Sequence, residues 1–120
     1  VDARNSEFEL NMFFAHSING QDQDRWHPLA SHLLEVSRLA SSRAKKFDAA
    51  RLKAVVGLLH DLGKYSRAFQ NYISGQGPSP DHATAGACEV QRLVTAARPD
   101  RLAALIGAYC IAGHHSGLPN

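Results

Sequence analysis

The chain has 120 residues, 44% hydrophobic and 20% charged, with a formal net charge of +2. That length supports one small domain around a single core, and the composition is ordinary for a soluble globular protein. No run approaches the roughly 18 apolar residues of a membrane span, and no basic-then-apolar layout marks a secretory signal. A cytoplasmic setting is the expectation, and so small a net charge does not by itself argue for nucleic acid.

Residues 1–11 (VDARNSEFELN) show no periodicity. EFEL has the look of translated cloning sites, so this segment reads as an expression leader, with Met12 as the native start and 12–120 as the domain. Residues 13–26 read as an irregular segment with a turn at Asn19-Gly20. From Pro28 the pattern turns helical, Leu29, Leu33, Val36 and Ala40 forming a stripe that predicts a first helix to about Lys46. Asp48 is expected to cap a second helix with Leu52, Val55, Val56 and Leu59 facing inward, and Gly63 to stop it. A third short helix is expected over 65–73, carrying Tyr65, Phe69, Tyr72 and Ile73, followed by the loop SGQGPSP at 74–80. A fourth spans 82–97, with Ala83, Ala87, Val90, Leu93 and Val94 apolar. Pro99 opens a fifth, with Leu102, Leu105, Ile106 and Tyr109, that ends near Gly113. The class is all-α, a bundle of about five helices.

Cys88 and Cys110 stand apart without CxxC spacing and read as two buried free thiols. Arg38, Arg43, Lys45, Lys46, Arg51 and Lys53 form a basic run that a solvated corner explains as well as a phosphate track. The number that asks for a reason is histidine: seven residues, at 16, 27, 32, 60, 82, 114 and 115. His60 and Asp61 are adjacent, with Asp61 in the last turn of the second helix, where a carboxylate opposes the helix dipole and a cation would reverse the penalty. His82 opens the fourth helix, His114 and His115 follow the fifth, and His32 lies along the first helix's apolar stripe. Singly, each has a plain structural explanation: a hydrogen-bonded core histidine, a chance dipeptide, a polar helix end. Together they suit a transition-metal site of imidazoles around a shared carboxylate, the natural centre of two-metal phosphoester hydrolysis.

The strings AHS (15–17), HLLEVSRLA (32–40), GLLHDLGKYSRAFQ (57–70), DHATAG (81–86) and AGHHSGLP (112–119) resemble the HD nuclease domain of type I CRISPR-associated helicase-nucleases. HDLGK alone marks only the HD phosphohydrolase superfamily; the later strings are more specific. The resemblance implies two divalent transition-metal ions, from among Mn, Fe, Co and Ni with Mg or Zn as alternatives. The implied metal ligands are His32, His60, Asp61, His82, His114 and His115, with Asp61 bridging. The implied catalytic residues are Asp61 and Lys64, the lysine near the scissile phosphate. Ser116 is implied to hold substrate or support the ligands. His27 competes with His32 for the first ligand position, and His16 is expected to be structural. The implied substrate is single-stranded DNA displaced by a guide-RNA surveillance complex and fed by a CRISPR helicase, fused or separate, with no membrane involved. Near the site in sequence, only Lys64, Tyr65, Arg67 and Phe69 are available to contact that strand. The family pattern ends on a further aspartate that none of Asp22, Asp24, Asp48, Asp81 or Asp100 matches, so a truncated domain of weak or no activity is the expectation. Two rivals remain at this point: an HD phosphohydrolase acting on nucleotides or cyclic nucleotides, and a non-catalytic metal-binding interaction module.

Overall fold

A computed structural model of the chain describes residues 13–93 and 98–115. Its helices are α1 (Leu29–Ala44), α2 (Ala50–Leu59), α3 (Arg67–Ile73), α4 (Thr84–Leu93) and α5 (Arg98–Ala112). A small antiparallel ribbon precedes them, β1 (Phe14–His16) and β2 (His27–Pro28), pairing Phe14 with Pro28 and His16 with His27 across an irregular register. The Asn19-Gly20 turn forms as expected: Gly20 takes φ 74°, and the Gln21 N–H closes it onto the Ile18 carbonyl at 3.1 Å. The all-α expectation holds, and no helix among the described residues is long and apolar enough to cross a membrane.

α1 and α2 form an antiparallel hairpin, tied midway by the Ser37 hydroxyl donating to the Ala54 carbonyl at 2.7 Å. α4 and α5 pack on each other and on α2. Two apolar clusters result. Leu59, Ala87, Val90, Ala108 and Ile111 gather between α2, α4 and α5, while Ala15, Leu29 and Leu33 gather between β1 and α1 with Phe13 and Tyr65 against them. The seam between these clusters is polar, and it carries the site.

Several local expectations are corrected. Asp48 does not cap α2: it adopts the left-handed conformation (φ 53°), which a short polar residue tolerates, and ends a 3₁₀ turn at Lys45–Phe47, leaving Ala49 at the cap position with no side-chain bond. Gly63 does not stop α2, which ends at Leu59. It lies in a 3₁₀ turn, Leu62–Tyr65, where its missing Cβ lets the chain approach the His82 backbone. Tyr65 belongs to that turn, and α3 begins two residues later, capped by the Ser66 hydroxyl accepting from the Phe69 N–H at 3.2 Å. Val55 and Leu93 are exposed, not inward, and Val94 lies outside the described residues.

The largest correction is on α5. The large stripe Leu102, Leu105, Ile106 and Tyr109 faces out, Leu102 being 63% exposed, while Ala104, Gly107, Ala108 and Ile111 are buried. Both sets have helical spacing; the small one is buried because α5 approaches α2 closely enough that a Cβ on Gly107 would lie 3.0 Å from Val56 Cγ2. Cys88 and Cys110 are free as expected, but Cys88 is exposed and Cys110 half-buried. The basic run spans the α1–α2 corner, from Arg38 about 9 Å along α1 from His32 to Arg43 about 17 Å along it, at 1.5 Å per residue. Arg38, Arg43, Lys45, Lys46 and Arg51 are exposed and Lys53 is half-buried.

Gly86 sets how near α4 comes to the end of α2, because a Cβ there would collide with the Leu59 carbonyl oxygen. Glycine-to-alanine in a helix interior ordinarily stabilises by up to about 1 kcal/mol. Here Gly86→Ala is expected to destabilise by about 3 kcal/mol or more, since the obstacle is backbone and cannot rotate away. Urea denaturation of the two proteins checks the sign.

Candidate metal centre

α2 ends at Leu59, so His60 and Asp61 emerge where its last carbonyls point, and the 3₁₀ turn then carries Lys64 back beneath them. His32, one turn into α1, reaches the same point from the neighbouring helix. His82 does not open α4 but lies two residues before it, where the Asp81 carboxylate accepts from the N–H groups of Ala83 (2.9 Å) and Thr84 (3.2 Å) and fixes the approach. His114 and His115 come from the residues after α5.

Asp61, 2% exposed, is the hub. Its Oδ2 lies 3.1 Å from His32 Nε2, 3.2 Å from His60 Nε2 and 2.8 Å from Lys64 Nζ. Its Oδ1 lies 3.2 Å from His114 Nε2 and 3.6 Å from His82 Nε2. One oxygen therefore serves each of two donor groups that share the carboxylate: His32, His60 and Asp61, and Asp61, His82, His114 and His115. Within each group the potential ligand atoms lie within 4.8 Å of one another.

The hydrogen bonds around the rings test whether this donor set fits a cation. His60 Nδ1 lies 2.7 Å from the Gly57 carbonyl and His114 Nδ1 lies 2.6 Å from the Ile111 carbonyl. A carbonyl can only accept, so both Nδ1 atoms carry protons, and in the neutral rings both Nε2 atoms present lone pairs. Those lone pairs face carboxylate oxygens. Acceptor against acceptor is repulsive unless a proton or a cation lies between, and backbone anchoring of the far nitrogen is how metal-ligating histidines are oriented. His82 Nε2 is the buried side-chain atom among the described residues left with no hydrogen-bond partner. A buried orphan nitrogen beside a shared carboxylate fits a metal ligand. Imidazole with carboxylate suits Mn, Fe, Co, Ni or Zn better than the all-oxygen preference of Mg.

Electrostatics agree with a site that wants positive charge. Burial pushes the Asp61 carboxyl up, but hydrogen bonds from His60 and Lys64 and their charges outweigh it and hold the group well below the usual carboxylate range. Burial also opposes protonation of His60, yet the Asp61 and Gly57 hydrogen bonds raise it above its ordinary 6.5. Burial first, then neighbouring positive charge, lowers His16, through Lys64, and His115, through His114 and His82. Burial lowers His32 despite the pull of Asp61.

Lys64, 3% exposed, donates to the Ala15 carbonyl at 3.2 Å besides its bond to Asp61, and its ammonium sits 5.2 Å from the Phe69 ring centre. The structure thus places it beneath the carboxylate, its ammonium already engaged where it meets the cleft wall. His27 stays outside both groups, its Nε2 3.4 Å from Glu35 Oε2 and its ring edge-on to His32. His16 packs edge-on against His32 and lines the neighbouring cleft. Ser116 lies outside the described residues. Of the residues expected to face a strand, Tyr65 packs into the β1–α1 cluster and Phe69 is buried, while Arg67 is exposed.

Two supporting residues had no assigned role from sequence. Asp81 is one, and its Asp-x-x-Thr spacing before an apolar run was the available signal. Gln70 is the other: its amide pairs with both the N–H (3.0 Å) and the carbonyl (2.9 Å) of Phe14 and donates to the Lys64 carbonyl at 2.8 Å. It completes β1 as a strand neighbour would, and nothing in its local pattern announces that.

The HD domain family matches residues 29–119, a span from the start of α1 through the paired histidines. The chain belongs to the HD domain family. HD domains are generally metal-dependent phosphohydrolases that bind divalent metals. Searches of curated proteins and of solved structures found no match.

Two outcomes follow for this HD domain. Because the folded His60 pKa is raised, its pairing with Asp61 stabilises the metal-free protein fully below about pH 6.5, and that contribution is lost as pH rises through the folded value. Metal competes with that proton, so metal binding at pH 6.5 should release a proton and weaken as pH falls. Calorimetric titration in two buffers of different ionisation enthalpy measures the release; none at all would contradict the assignment. Asp61→Ala should abolish metal binding and, by leaving buried Lys64 unpaired, destabilise the fold by about 3–5 kcal/mol. Metal titration and thermal unfolding read the two effects separately.

Proposed function

We propose that this HD domain is a two-metal phosphodiesterase that cleaves single-stranded DNA in CRISPR interference. Its ligands would be His32, His60, Asp61, His82, His114 and His115. The observation that carries the hydrolytic reading is the Asp61 carboxylate, whose two oxygens each face a separate imidazole group. Bound divalent ions would supply a water nucleophile at neutral pH and neutralise charge on the leaving oxygen. The chain's own residues do the positioning. Gly57 and Ile111 carbonyls orient the His60 and His114 rings, Asp81 caps α4 beside His82, and Lys64 holds Asp61 from below.

The choice of single-stranded DNA, and of a CRISPR helicase and guide-RNA complex as partners, rests on the run of strings from HDLGKYS through DHATAG to AGHHSGLP. An HD phosphohydrolase of nucleotides or cyclic nucleotides would use the same metal chemistry, so substrate decides between them.

Protein loaded with Mn, Fe, Co or Ni should nick single-stranded DNA weakly and spare duplex. His114→Ala should lower the rate about a hundredfold or more while leaving the protein folded, an effect at the upper end of losses seen for metal-site support residues. Gel assays on linear and circular single strands, beside a panel of nucleotides and cyclic nucleotides, check it. Turnover of nucleotides with DNA left intact would overturn the nuclease reading.

A further inference from the structure

Beside the candidate metal centre lies an open cleft of about 670 Å³ with a mixed lining. Lys64, His82 and His115 line it at the Asp61 cluster, and Tyr72, Gly75 and Ser79 line it outside that cluster. Tyr72 is 40% exposed, yet its ring is braced edge-on against Phe69 at 6.0 Å, and Phe69 in turn lies edge-on to His82 at 5.1 Å. A chain of rings thus leads from the metal-ligand cluster to an exposed aromatic in the cleft lining. The cleft volume falls in the range of small-molecule sites, about 300–1,000 Å³.

Charge narrows what can occupy it. Among the described residues Lys64 is the one Lys or Arg in the lining, and its ammonium is already engaged by Asp61, the Ala15 carbonyl and the Phe69 face. Among the described residues, Tyr72, Gly75 and Ser79 bring no cation to grip a second phosphate. The cleft offers a π-face and small polar groups, Ser17, Asn19 and Ser79. Such a surface complements a nucleobase, because base–aromatic stacking needs no counter-charge and tolerates any base.

We propose that this cleft is a nucleoside subsite. A phosphodiester held at the metal centre places the base on one side of the scissile phosphate against Tyr72. Tyr72 is then a binding residue that grips the substrate away from the reacting bond. The inference rests on the phosphodiesterase reading of the centre, but it claims something separable: that recognition uses one flanking base.

The test is equilibrium binding, which does not depend on turnover. Mn(II)-loaded protein is titrated with the phosphorothioate dinucleotide TpT, which resists hydrolysis, and with its two abasic forms lacking one base or the other. Wild type should bind one abasic form about tenfold more weakly than TpT and the other nearly as well. That tenfold loss corresponds to about 1.4 kcal/mol, within the span for stacking of a base on an aromatic ring. Tyr72→Ala should bind TpT about tenfold more weakly and no longer distinguish that abasic form, whereas Tyr72→Phe should behave as wild type. The abasic comparison on wild type needs no variant, so a folding defect in Tyr72→Ala leaves the test intact. Equal binding of all three dinucleotides, no binding of TpT, or full discrimination retained by a folded Tyr72→Ala overturns the proposal. Base discrimination without cleavage of DNA would sink the nuclease reading and keep the subsite; cleavage without base discrimination would do the reverse.

Discussion

A buried carboxylate organises this domain. Asp61 is withdrawn from water between two apolar clusters, and an ionised carboxyl in such a place is costly unless cations and donors surround it. Lys64 supplies the permanent positive charge and four imidazole nitrogens supply the rest of the shell. Each partner comes from a different part of the chain. Satisfying one side chain thus draws together α1, the end of α2, the 3₁₀ turn, the residues before α4 and the residues after α5. The pair Asp61–Lys64 is neutral overall, and the imidazoles leave room for further positive charge on the exposed side.

Close backbone approach does the remaining assembly. Gly86 lets α4 sit on the Leu59 carbonyl, and Gly63 lets the 3₁₀ turn sit on the His82 backbone, with its N–H bonded to the His82 carbonyl at 3.1 Å. Both contacts bracket His82, the ligand candidate whose nitrogen has no other partner. Gln70 and Lys64 perform the matching task on the other flank, tying β1 to the turn through Phe14 and Ala15. The ribbon, although only two short strands, walls one side of the cleft beside the metal centre. Packing precision and the shape of that cleft are therefore the same problem, solved by the same residues.

Much of this was legible one residue at a time. The helical stripes of α1 and α2, the loop at 74–80 and the all-α class follow from periodicity and turn chemistry. The unusual histidine content, with an aspartate at a helix end, signalled a candidate metal site because few other arrangements ask for those residues. Periodicity failed on α5, where Leu102, Leu105, Ile106 and Tyr109 and the set Ala104, Gly107, Ala108 and Ile111 both repeat at helical spacing. Hydrophobicity favours the first set, but close helix approach selects the second, and no single-sequence scale measures approach distance. The Asp48 cap failed for a related reason: an aspartate suits both an N-cap and a left-handed turn, and the tightness of the preceding 3₁₀ turn decided between them.

By itself, then, the sequence determined which atoms are available for chemistry: imidazole nitrogens and one aspartate placed at helix ends, because helical repeat and breaker residues are local properties. Tertiary structure decided which atoms meet. Only it divides the shell into two groups on the two oxygens of Asp61. It also ties Lys64 to the carboxylate at the wall of the cleft, and puts Tyr72 rather than Tyr65 in the cleft lining. The first of those outcomes depends on contacts between residues 21 to 53 positions apart along the chain, from His32, His82 and His114 to Asp61. Such contacts are set by how helices pack, which no local pattern encodes.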